Sequence, residues 1–212
     1  ELANVLAGDK KVRDVLLDGP EGSALLPAAR GLDRLAEERS SWQERIAELT
    51  TRIQNLRQPV IAAVNGPAYG GGFALALASD IRIAGPGARF CTQFIKLGIG
   101  GCDIGVSYTL PRIVGAGQAF DLILTARTVA ADEALRLGLV SRLSEDDVVA
   151  DALAIAETLC GYGKFGLEST KQVLWANLEA PSLQAALHVE NRSQILAAAG
   201  HIDLAAKAFG SR

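Results

Sequence analysis

Val60-Ile61-Ala62-Ala63-Val64-Asn65-Gly66-Pro67-Ala68-Tyr69-Gly70-Gly71-Gly72-Phe73-Ala74-Leu75-Ala76-Leu77-Ala78-Ser79-Asp80-Ile81-Arg82-Ile83-Ala84 is the stretch that decides the fold. Val60–Val64 is an unbroken apolar run, the pattern of a strand covered on both faces. Asn65-Gly66-Pro67 makes a turn. Phe73–Ala78 reads as a helix of small residues able to pack closely, and Asp80–Ala84 as a short strand stopped by Gly85-Pro86-Gly87. Strand, helix and strand in that order predict right-handed crossovers and a mostly parallel sheet, an α/β fold.

The same stretch carries chemistry at Gly70-Gly71-Gly72. Consecutive glycines let the backbone take unusual dihedrals and approach a ligand. Amides at the start of a helix lack intrahelical partners and stand at the positive end of the dipole, so they suit an anion that develops during a reaction. A phosphate-binding loop requires Gly-Lys-Ser/Thr at its end, where Phe73-Ala74 stands, and a dinucleotide fingerprint requires a different glycine spacing. Close helix packing also explains three glycines, and the loop alone leaves both readings open.

Outward from this stretch, Val12–Leu17 reads as a strand ended by Asp18-Gly19-Pro20. From about Leu32 to Leu56, the positions Leu35, Trp42, Ile46, Leu49, Ile53 and Leu56 predict an amphipathic helix that Pro59 ends. After Ser107 the pattern turns helical, over Ala116–Ala126 and Ala131–Leu137, with a short strand at Leu139–Arg142. From Asp146, helices end near Cys160, Asn177 and Ala199, and a last one covers Leu204–Phe209. Net charge is -3 over 212 residues, which gives no reason to expect nucleic acid as partner. No apolar run reaches membrane-spanning length, and Glu1-Leu2-Ala3-Asn4 lacks a signal-peptide layout. Cys91, Cys102 and Cys160 form neither a disulfide framework nor a zinc site, and each reads as a small buried residue, in keeping with a cytoplasmic location. No metal site is expected. The chain contains no methionine, so residues are expected to precede Glu1.

The run from Gln58 to Ala84 resembles the signature of the crotonase (enoyl-CoA hydratase/isomerase) superfamily. The likeness continues through Phe90, Gly98, Asp103-Ile104-Gly105, Leu110–Gly115, Leu124–Arg127, Ala131–Ala134 and Gly138-Leu139-Val140, in family order. It implies a spiral of ββα turns over residues 1–143, with the family's opening strands absent. A C-terminal helical region over 144–212 would then build homotrimers, often paired as hexamers. The implied substrate is an acyl-CoA thioester, with coenzyme A part of that substrate and no separate cofactor. The backbone N–H of Gly71 is implied to hold the thioester oxygen as the substrate becomes an enolate. Ala68, Tyr69, Gly70 and Phe94 are implied to line the substrate site. Tyr69 and Trp175 suit an acyl channel, with core packing the plainer role for Trp175. The resemblance would let Lys207 and Arg212 meet the coenzyme A phosphates, with a solvated helix face the plainer reading of each.

Three departures from the pattern matter. Gly19-Pro20-Glu21-Gly22-Ser23-Ala24 approaches the segment that normally carries the second oxyanion amide, but Leu25-Leu26-Pro27-Ala28-Ala29 follows, so a loop omitted after about Ala24 is expected. The two glutamates that handle water in the hydratase subgroup are replaced by Ala74 and Phe94, and neither transfers a proton. Asp103 is the acid left in the right neighbourhood, similar in position to that of dienoyl-CoA isomerases. It is assigned removal of a proton α or γ to the thioester carbonyl. Capping a helix that begins near Ile104 is its alternative role. His188 and His201 sit far from the motif, and no Ser-His-Asp set is visible. An enolate-type isomerisation is therefore expected over standard hydration. A catalytically silent fold binding acyl-CoA or a protein, and a thioester hydrolase or dehalogenase, stand as alternatives.

Overall fold

A computed structural model describes residues 15–17 and 34–200, with side-chain surroundings for residues 43–198. Strand β1 (Val15–Leu17) precedes helix α1 (Arg34–Asn55), and strands β2 (Ile61–Val64) and β3 (Pro67–Tyr69) follow. Helix α2 (Gly71–Ala78), β4 (Ile81–Ala84), β5 (Arg89–Cys91) and a single 3-10 turn at Phe94–Leu97 come next. Then come α3 (Val106–Val114), α4 (Ala116–Thr125), β6 (Val129–Ala130), α5 (Ala131–Arg136) and β7 (Arg142–Leu143). The described chain closes with α6 (Val148–Cys160), α7 (Lys164–Asn177) and α8 (Leu183–Gly200).

The strands form two sheets. One has the order β1-β2-β4-β7 and is parallel throughout, with Leu17 opposite Val64, Val64 opposite Ala84, and Ile83 opposite Arg142. The other has the order β3-β5-β6. In it Ala68 faces Phe90 in parallel and Phe90 faces Val129 antiparallel. The two-residue link Asn65-Gly66 carries the chain from one sheet to the other, so β2-β3 and β4-β5 are equivalent strand pairs on either side of α2. Period-two alternation explains why β2 is apolar at every position. Ala62 and Val64 join the cluster of Phe73, Leu77, Phe90, Leu110, Leu122 and Leu139 on one face. Ile61 and Ala63 join Ile83, Val148, Ala152 and Ala156 beneath α6 on the other. Each fully buried Phe or Leu in such a core contributes about 1.5–3 kcal/mol, and Phe73 and Phe90 add a tilted ring contact at 5.8 Å between centroids.

Two expectations need correction. The strand expected at Leu139–Arg142 is paired over Arg142–Leu143 instead, because Leu139 and Val140 lie in the approach and bury their side chains in the main core. The short strands β3, β5 and β6 are not legible in the sequence because two or three residues carry no readable period. Among the cysteines Cys91 is buried, Cys160 half-buried and Cys102 exposed. The segment around Ala24, the helix expected at Leu204–Phe209, His201, Lys207 and Arg212 lie outside the described residues.

Candidate active site

The three glycines have three different structural reasons. Gly70 takes φ 52° and ψ -115°, a conformation that L side chains rarely adopt, and its N–H donates to the Cys91 carbonyl at 2.9 Å. A Cβ there would meet the Phe94 ring at 3.5 Å, in ordinary contact, so the backbone conformation is what calls for glycine. Gly71 is the first residue of α2, and among the described residues no acceptor engages its N–H. A Cβ at Gly71 would lie 3.6 Å from Cδ1 of Ile104. Gly72 has open space around it. The unusual turn at Gly70 thus ends β3 and opens α2, whose first amide is left without an acceptor at the positive end of the helix.

Asp103 is carried to this place by the loop that follows the 3-10 turn. Ile104 has φ 49°, rare for a β-branched residue, and Gly105 follows at φ 80°. Left-handed residues cannot propagate a right-handed helix, so α3 begins only at Val106, with Gly105 as its cap and no side-chain cap bond. The alternative role of Asp103 as the cap of that helix is therefore not met. Its carboxylate Oδ1 accepts the Ile104 N–H at 2.8 Å and a hydrogen bond from Nε2 of Gln43 on α1. The Ile104 side chain packs on the main core and reaches Gly71, so the Asp103 loop and the start of α2 are neighbours.

Positions 74 and 94, which lack the hydratase glutamates, are apolar and closed. Ala74 is 2% exposed and Phe94 6% exposed, both within the main core cluster. Ala68 is buried in β3, and Tyr69 beside it is half-buried. These residues surround the glycine turn from β3, α2 and the 3-10 turn. His188 is an exposed residue of α8.

A separate cavity of about 460 Å³ lies at the other end of α2. Arg82 lines it and donates to the Ala76, Leu77 and Ser79 carbonyls there, placing a cation at the negative end of the helix. Burial pulls the Arg82 guanidinium down to about 10, with Asp80 opposing, so it remains a cation at neutral pH. Eight residues of helix, on the order of 12 Å at 1.5 Å each, separate this cavity from Gly71, and neither Gly71 nor Asp103 lines it. Trp175 does line it, which separates that residue from Tyr69. Its indole N–H donates to Asp80 Oδ1 at 2.7 Å, a polar tie rather than plain packing. Asp80 Oδ2 also meets Lys171 Nζ at 2.9 Å, and that ammonium donates to the Ile53 and Gln58 carbonyls at 3.0 Å each. The signal for this network was a lysine on an apolar helix stripe, between Leu167 and Leu174.

The profile of the family described as Enoyl-CoA hydratase/isomerase matches residues 2–201. The chain is 40% identical over 198 residues to a probable enoyl-CoA hydratase of Mycobacterium tuberculosis, covering 88% of this chain and 69% of that protein. A probable enoyl-CoA hydratase/isomerase from Mycobacterium abscessus superposes with TM-score 0.74 at 40% identity, over 76% of this chain and 62% of that one. A putative enoyl-CoA hydratase from Thermobifida fusca, solved in complex with CoA, superposes with TM-score 0.70 at 32% identity, over 80% and 64%. The chain thus spans somewhat under two thirds of the length of these solved structures. Carrying that family's signature glycine turn on an α/β core of the same shape, the chain belongs to the enoyl-CoA hydratase/isomerase family.

Proposed function

We propose that this protein moves a proton on an acyl-CoA thioester through an enolate, as an isomerase-type member of its family rather than by addition of water. The Gly71 N–H receives the thioester oxygen as it gains negative charge, and Asp103 removes and returns the proton. The observation that carries this is the free Gly71 amide at the start of α2, beside the loop that bears Asp103. Burial of alanine and phenylalanine at positions 74 and 94 favours isomerisation, since neither side chain can deliver a proton to or from water. Binding of coenzyme A is proposed from the complex of the Thermobifida fusca relative. Ala68, Tyr69, Gly70 and Phe94 would line the acyl end, a second oxyanion donor would come from outside the described residues, and Lys207 and Arg212 would meet the phosphates. The spiral of ββα turns and assembly into trimers or hexamers belong to the same proposal.

Absorbance at the enoyl-thioester band with crotonyl-CoA and with a dienoyl-CoA, for wild type and Asp103→Asn, tests it. Double-bond migration lost in Asp103→Asn is the expected result. An Asn variant as fast as wild type removes Asp103 from the reaction. Absence of any turnover favours the second reading, a silent acyl-CoA-binding fold, which the buried Ala74 and Phe94 motivate.

A further inference from the structure

The carboxylate of Asp103 is held unevenly. Oδ1 takes both recorded donors, the Ile104 N–H at 2.8 Å and the Gln43 amide from α1, sixty residues away in sequence. Oδ2 accepts nothing among the described residues. The Gln43 bond is part of a larger seating of α1 on this loop. Gln43, Ala47 and Thr50 stand four and three residues apart, on one face of the helix. Thr50 is buried, and its Oγ1 lies 3.8 Å from the position a Cβ on Gly105 would take. On the opposite side Ile104 wedges between the loop and Gly71. The loop is thus pinned from α1 and from α2, with two successive residues at positive φ between them. Strained backbone of this kind persists only where its surroundings hold it.

We infer that Gln43 is a positioning residue for proton transfer: it clamps Oδ1 of Asp103 so that Oδ2 alone presents a lone pair to the substrate. This rests on the proton-transfer reading above. In that step Oδ2 takes a proton from the carbon α or γ to the thioester carbonyl. The electron pair of the broken C–H bond becomes the enolate double bond, and the negative charge on the thioester oxygen meets the Gly71 N–H. The same Oδ2–H then returns the proton to the other end of the allylic system, so atoms and charge balance and no oxidant is involved. A carboxylate held by one oxygen keeps the other aimed while the proton leaves and returns; without the Gln43 amide only the Ile104 N–H holds Oδ1, and the group is freer to turn into unproductive orientations.

The test uses the full protein with Gln43→Leu and Gln43→Glu, alone and combined with Asp103→Asn, on whichever of crotonyl-CoA and the dienoyl-CoA the wild type turns over. Gln43 is exposed, so its replacement leaves the core untouched. For Gln43→Leu, kcat is expected to fall about 10- to 100-fold with KM within about twofold, the signature of lost orientation rather than lost binding. Gln43→Glu, which cannot donate and adds a like charge, should be at least as slow. In the Asp103→Asn background Gln43→Leu should cause no further loss, because the group it aims is gone. The clamp is overturned if Gln43→Leu runs at the wild-type rate while Asp103→Asn is slow, or if the two losses multiply in full. An Asp103→Asn variant as fast as wild type instead sinks the proton-transfer reading itself, so the two failures are told apart.

Discussion

Gly71 and Gly70 are adjacent and do different work, which two substitutions should separate. Proline is favoured at the first position of a helix because the N–H there has no intrahelical partner. Gly71→Pro therefore removes the proposed oxyanion donor while leaving α2 intact. Turnover should fall on the order of 100- to 1000-fold, with a thermal midpoint close to wild type, both measured on the purified variant. Gly70→Ala keeps every amide but forces a side chain into φ 52°. It should destabilise the fold by about 1–3 kcal/mol, read as a lower urea midpoint. The functional glycine was legible from its place between an apolar strand and a helix. The reason for its neighbour was not, since the Gly70 N–H meets the Cys91 carbonyl only through the pairing of β3 with β5.

Between elements, the buried contact that matters most is Lys171 of α7 with Asp80 at the start of β4. The Lys171 side chain is 3% exposed, and it joins the end of α1 and the approach to β2 through carbonyls of Ile53 and Gln58. Lys171→Ala leaves the half-buried Asp80 carboxylate with Val60 N–H and Trp175 as its donors. Chemical denaturation should show a loss of about 3–5 kcal/mol, and much less in an Asp80→Asn background. A weaker tie joins α3 to the residues after α7, where the Tyr108 hydroxyl donates to Glu179. That hydrogen bond is the main cause holding the Tyr108 phenol above its ordinary value, with Arg112 opposing. A raised folded-state value means that the contribution is complete below the unfolded value of about 10 and is lost as pH rises through the folded one. The stability difference between wild type and Tyr108→Phe should therefore vanish at strongly alkaline pH. At neutral pH it should not exceed about 1 kcal/mol, because the pair is open to solvent.

For the molecule as a whole, apolar side chains left in solvent point to association. Phe120 and Leu124 of α4 are 63% and 69% exposed, one turn apart, and Leu174 of α7 and Leu178 just past its end repeat that spacing at 64% and 54%. Stripes of this kind mark contact sites. Light scattering of the full protein should give three or six times the subunit mass, and Phe120→Glu with Leu124→Glu should lower it if α4 lies in that contact. A monomer at micromolar concentration would reject the trimer or hexamer.

Read alone, the chain determined its class and its family. An apolar strand, a glycine turn, a small-residue helix and a second strand are local patterns, each set by side-chain period and backbone freedom within a few residues. The helices ending at Cys160 and Asn177 were legible for the same reason. Tertiary structure alone decided the three short strands, the burial of Phe94 against Gly70, the Asp80–Lys171–Trp175 network, and the meeting of Gln43 with Asp103. Each of these depends on residues about 20 to 95 positions apart. Such contacts form only once the sheets and helices have packed, and no periodicity along the chain records which distant side chains that packing brings together.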